Sequence, residues 1–103
     1  MSTIKIRSKR LKDFTLVRTL IAHPMETGKN KNEETGELIP AHFIQTLIFK
    51  HNNEVMSECF MGFGISKNPF FSFRLKAAKA GDVVSISWLD NLGNSDIKEH
   101  IIR

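Results

Sequence analysis

Short stretches in which apolar and polar residues alternate, each closed by a turn signal, constrain this chain more than any other feature. Between Asp82 and Leu89, Val84, Ile86 and Trp88 alternate with Ser85 and Ser87. That is the period-two pattern of a β-strand and cannot form one face of a helix. Thr3 to Ser8 alternates Ile4 and Ile6 with Lys5 and Arg7, and Phe70 to Lys76 sets Phe71, Phe73 and Leu75 on one face. Further strands are predicted over Phe14 to Ala22, His42 to His51, Glu54 to Phe60 and Ser95 to Ile102. Asn52-Asn53 suits a tight type I′ hairpin, while Ala80-Gly81-Asp82 and Asn91 to Asn94 read as turns. Lys76 to Ala80 has helical propensity but is too short to be more than a turn. Gly62 to Pro69 reads as a crossing between two sheets. The prediction is an all-β, antiparallel β-sandwich of about seven strands. At 103 residues the chain holds one core, so a single domain is expected over residues 1–103.

Several strands are apolar on both faces, whereas an antiparallel sandwich strand normally has one solvated face. Val17 and Ile21 are expected to face the core with Leu16 and Leu20 opposite. Ile44 and Ile48 are set against Phe43, Leu47 and Phe49, and Phe70 points away from Phe71 and Phe73. A second apolar face on a small domain implies a cover, and Leu16, Leu20, Phe43 and Phe70 are the candidate partner-interface residues.

Composition narrows the partners. The net charge is +4 with several bases near the start, from Lys5 to Lys12. However, Tyr is absent and Phe71, Phe73 and Trp88 occupy core-like positions, so a nucleic-acid partner is not expected. No apolar run is long enough for a transmembrane helix. The first residues show no export signal, which taken alone predicts a cytoplasmic protein. The single cysteine, Cys59, lies in an apolar strand and reads as a small hydrophobe; a bridge to another chain stays open.

The most distinctive words are Ala22-His23-Pro24-Met25-Glu26-Thr27-Gly28 and Ile39-Pro40-Ala41-His42-Phe43-Ile44, flanking a polar loop from Lys29 to Leu38. His23 and His42 flank one loop and, with Met25, suggest a soft copper site. Only two ligands are local and no Met-rich stretch supports it. A structural role is therefore preferred for His23, Pro24, Met25, Gly28, Pro40 and His42, as anchors of the loop. His51 and His100 are expected to face solvent. No nucleophile with its base, paired carboxylates or phosphate loop is found, so neither a catalytic residue nor a cofactor is expected.

These two phrases closely resemble the SoxZ family of the sulfur-oxidising Sox system. The likeness continues through Lys50-His51-Asn52, Ser66 to Phe73, Ala80-Gly81-Asp82, Ser87 to Asn91 and Gly93 to Asp96. The resemblance implies an immunoglobulin-like sandwich that makes no bonds itself but binds SoxY, whose C-terminal cysteine arm carries sulfur intermediates of thiosulfate oxidation. It implies transient docking to other Sox enzymes and a periplasmic location, reached by co-export with the signal-bearing partner. This chain ends in Glu99-His100-Ile101-Ile102-Arg103, without the glycine-flanked cysteine of the carrier. Self-association through the uncovered face is expected when the partner is missing.

Overall fold

A computed structural model of the chain describes residues 2–60 and 67–103, with the backbone alone described for 58–60. The Gly62 to Pro69 crossing therefore lies largely outside the described residues, as does the Cys59 side chain. Seven strands occur in the order β1 (Ile4–Arg10), β2 (Thr15–Ile21), β3 (Ile44–His51), β4 (Glu54–Phe60), β5 (Phe70–Leu75), β6 (Val83–Asp90) and β7 (Ser95–Ile101). No helix occurs among the described residues. Every pairing is antiparallel.

The strands form a three-stranded sheet, β1-β2-β5, and a four-stranded sheet, β4-β3-β6-β7. Adjacency of β2 with β5 in one sheet and β3 with β6 in the other is the immunoglobulin-type connectivity expected from the resemblance. Asn52 and Asn53 both take positive φ, 49° and 67°, and close the β3–β4 hairpin as predicted. Asparagine tolerates this left-handed region better than most residues because its amide hydrogen-bonds locally.

The core lies between the sheets. Ile4 and Ile6 from β1, Val17 and Ile21 from β2 and Leu75 from β5 face Ile44, Leu47 and Phe49 from β3 and Val84, Ile86 and Trp88 from β6. Phe49 and Phe73 stack across the gap with ring centroids 4.3 Å apart and 11° between planes. Thr19 is fully buried, and its hydroxyl oxygen has no hydrogen-bond partner.

Strand β3 departs from simple alternation. Ile44 pairs with Asp90 and Thr46 with Leu89, so Gln45 is an extra residue in the ladder. This bulge reverses the parity beyond it. Ile44, Leu47 and Phe49 therefore all face the core while Ile48 turns outward. The expected grouping of Ile44 with Ile48 on one face is thus corrected.

The two histidines expected to face solvent do not. His51 and His100 share the inward parity of Val84 on neighbouring strands. His51 Nε2 lies 2.8 Å from Asp82 Oδ2, and His100 Nε2 lies 2.8 Å from Ser8 Oγ. The His100–Ser8 bond joins β7 to β1 at the open side of the sandwich. Further along the same seam, Asp96 Oδ2 accepts from the Thr3 backbone and hydroxyl, and Trp88 donates to the Thr3 hydroxyl.

Candidate functional site

The two phrases meet at the end of the sandwich where β2 leaves and β3 begins. Glu26 and His42 pair through both backbone hydrogen bonds, at 2.6 and 2.9 Å. Beyond them Lys31 pairs with Leu38, so the polar loop is an ordered two-stranded ribbon. Gly28 has φ +85°, and a Cβ there would come within 3.3 Å of the Ala41 Cβ. The backbone angle favours glycine, and an added Cβ would crowd Ala41 as well. Pro24 is half-buried beside His23, while Pro40 is exposed where the ribbon returns.

At the centre is Asp90, a residue not singled out from the sequence. Its fully buried carboxylate accepts from His23 Nε2 at 3.0 Å and from His42 Nε2 at 2.7 Å, both on Oδ2. The Leu92 and Asn94 backbone amides donate to Oδ1, and the Asn94 side chain donates to Oδ2. Burial pushes this carboxyl up. The bonds from His23, the Asn94 backbone, His42 and the Asn94 side chain outweigh that and hold it well below its ordinary 3.8. The parity Val84, Ile86, Trp88, Asp90 carried this signal, but the predicted strand stopped one residue short, at Leu89.

Each arm of the cluster is fixed in turn. His23 Nδ1 accepts from the Met25 amide, so the ring proton is on Nε2, facing Asp90. The His23 ring meets His42 and Trp88 edge-on at 4.6 and 5.1 Å between centroids. Met25 has φ +50°, an unusual conformation for a side-chain-bearing residue, and its sulfur accepts from the Ile44 amide at 3.4 Å. Asn68 brackets His23 by accepting from its amide and donating to its carbonyl. Asn91 brackets residues 41–43 by bonding to the Ala41 carbonyl and to both backbone groups of Phe43.

His23, His42 and Asp90 converge within 4.8 Å, as a metal site would. The arrangement nevertheless suits a proton network. Two ligands of one tetrahedral ion stay about 3.3 Å apart, whereas these atoms are at hydrogen-bond distance. A metal on His23 Nε2 would move the ring proton to Nδ1, against the Met25 N–H. The Met25 sulfur is already engaged. In this geometry His23, Met25 and His42 are each engaged in hydrogen bonds and do not present a free copper ligand set.

The candidate interface residues separate into two places. Leu16, Leu20 and Phe70 lie on the outer face of the three-stranded sheet, with Leu20 and Phe70 40% and 59% exposed. Phe43 belongs to the approach to β3 and packs, partly buried, against the core. The outer face of the four-stranded sheet carries apolar residues that were not among the interface candidates: Ile48, Leu89, Ile97 and Ile101. Strand β7 is inverted. Its inward residues are Asp96, Lys98 and His100, while Ile97 and Ile101 point outward, 62% and 60% exposed.

Two antiparallel sheets bridged by a buried polar cluster, with exposed apolar side chains on both outer faces, define an immunoglobulin-like β-sandwich. The chain belongs to the SoxZ family: residues 4–100 match the family described as Sulphur oxidation protein SoxZ, which assigns it to sulfur oxidation by the Sox system. None of the curated proteins compared with the chain matches it.

Proposed function

We propose that this chain is a non-catalytic subunit that holds the SoxY-type carrier of the Sox system through the outer face of its four-stranded sheet. The observation that carries the reading is the inversion of β7. A solvated edge strand has no reason to turn isoleucines outward and charges inward. Beside Ile97 and Ile101, the face offers Ile48, Leu89 and small hydroxyl residues at Thr46, Ser87 and Ser95. Among the outward positions of β3, β6 and β7, only Lys50 and Glu99 are charged, on one rung through Ser85. A shallow cleft of about 480 Å³ runs between Thr46, Ile48, Leu89 and Ile97. Depletion of charge around an apolar centre is the composition of a permanent interface. The original candidates Leu16, Leu20 and Phe70 lie among cations, which are costly to bury permanently.

In this reading the reactive thiol belongs to the partner, and the histidine–aspartate cluster shapes the ribbon beside it. The complex operates in the periplasm, and the chain travels there with its partner. The test is co-expression with the SoxY subunit of the same organism, with and without Ile97→Asp. A heterodimer on gel filtration is expected for the parent and lost in the variant. A heterodimer indifferent to Ile97→Asp would move the interface elsewhere.

A further inference from the structure

The outer face of the three-stranded sheet is unlike its counterpart. Its outward positions form three rungs across the strands: Lys5, Leu20 and Phe70; Arg7, Arg18 and Ser72; Lys9, Leu16 and Arg74. Five of the nine are cations, and no carboxylate occurs among them. Among the described residues, none of the five takes part in an ion pair. Removing these five from the chain's 15 Lys and Arg leaves 10 bases against 11 Asp and Glu, so this one face accounts for the whole of the net positive charge.

Arg7 and Arg18 are direct cross-strand neighbours. Like charges placed opposite one another destabilise a sheet. Two shallow clefts of about 280 and 330 Å³ flank the pair, and both guanidinium-bearing side chains line both clefts. Leu16 walls one cleft, and Leu20 with Phe70 walls the other.

We infer that this face is a docking surface for an acidic protein surface with apolar contacts between its carboxylates, engaged reversibly while the opposite sheet holds the permanent partner. The inference rests on the platform reading above. Charge complementarity selects the chemistry: bidentate arginines match carboxylates, and a concentrated field speeds encounter. A nucleic acid would want a row of open stacking aromatics and finds Phe70 and, at the far end, a half-buried Phe14 already covered by Arg74, with the leucines unused. An anionic membrane would want its apolar groups together at one edge. Here the Arg7–Arg18 rung lies between Leu16 and Leu20, so inserting either leucine drags a guanidinium pair with it.

The test uses the heterodimer with SoxY and each purified Sox enzyme of the same organism, comparing the parent with Arg18→Glu. This variant places a carboxylate opposite Arg7, so the fold is expected to gain thermal stability while docking is lost. At least one enzyme should bind the parent heterodimer, weaken about tenfold or more with Arg18→Glu, and weaken steeply between about 50 and about 500 mM salt. Leu20→Ser should weaken the same enzyme without changing the salt slope. Binding unaffected by Arg18→Glu, or no binding of any enzyme to the parent, overturns the inference. So does a charge-sensitive affinity for duplex DNA or anionic vesicles that exceeds the affinity for every enzyme. Failure of the heterodimer to form at all overturns the platform reading instead, whereas loss of the heterodimer in Arg18→Glu alone makes this face the permanent interface.

Discussion

His23 donates from Nε2 to the buried Oδ2 of Asp90 across 3.0 Å, joining positions 67 residues apart in the chain. The bond ties the exit of β2 to the end of β6, so it crosses from one sheet to the other. His42 meets the same oxygen from the start of β3. One carboxylate thereby fixes both ends of the polar ribbon and closes that end of the core.

Asp90→Asn is expected to destabilise the fold by about 2–4 kcal/mol, because the amide retains one acceptor oxygen and turns an NH2 toward groups that donate. Urea denaturation of parent and variant measures the difference. A loss below about 0.5 kcal/mol would mean the cluster contributes little to holding the sheets.

Acid stability follows from the same residue. Asp90 titrates in the folded chain below its ordinary 3.8, and so do Asp96, held by the Thr3 backbone and hydroxyl, and Asp82, lowered to about 2 by the Lys79 amide and His51. A carboxyl depressed by folding stabilises fully above the unfolded value, and the contribution disappears as pH falls through the folded one. His100 is lowered from 6.5 by burial, then by Arg103 and Lys98, so it favours the unfolded chain once pH drops below 6.5. Stability should therefore decline in two stages, gently below 6.5 and steeply below about 4. Asp90→Asn should flatten the lower stage and His100→Gln the upper; unchanged slopes in both would contradict these assignments.

Thr19→Val should raise stability by about 1–2 kcal/mol, since it replaces a buried hydroxyl that has no partner by a methyl group of similar size. Thermal melts of the two proteins decide it. A fall in melting temperature would reveal a hydrogen bond from the Thr19 hydroxyl to an internal water.

Ile97→Asp should leave the isolated fold intact, because its side chain is 62% exposed, yet cost the complex with the carrier subunit roughly 2 kcal/mol or more. Calorimetric titration against SoxY gives the loss. Equal affinity, with the variant folded, removes the outer face of the four-stranded sheet from consideration.

Copper titration addresses the soft-metal alternative. With His23 Nδ1 and the Met25 sulfur both committed to backbone amides, neither Cu(I) nor Cu(II) should bind with submicromolar affinity. A stoichiometric complex abolished by His23→Gln would show that the cluster opens for a metal.

The strands were legible because their signal is local. Period-two alternation and the Asn52-Asn53 turn are properties of neighbouring residues, and the observed boundaries lie within two residues of those expected. Ile48 was grouped with Ile44 because the bulge at Gln45, which reverses its face, depends on the pairing of β3 with β6. The inversion of β7 was also written in the order Asp96, Ile97, Lys98, but alternation alone does not say which set faces inward.

An all-β chain, its turns and the two loop-flanking phrases are written in local pattern. What those phrases touch, and which faces stay open, depends on how distant strands pair. Asp90 meets His23 and His42, Asn68 meets His23, and Asn91 meets Ala41 and Phe43 through contacts separated by dozens of residues, and no local pattern encodes a hydrogen bond of that range. The contrast between the cationic face and the more apolar one arises the same way. Strand pairing sorts Lys5, Arg7, Lys9, Arg18 and Arg74 onto one sheet and Ile48, Leu89, Ile97 and Ile101 onto the other, and a sheet's outer surface exists only once its strands are registered.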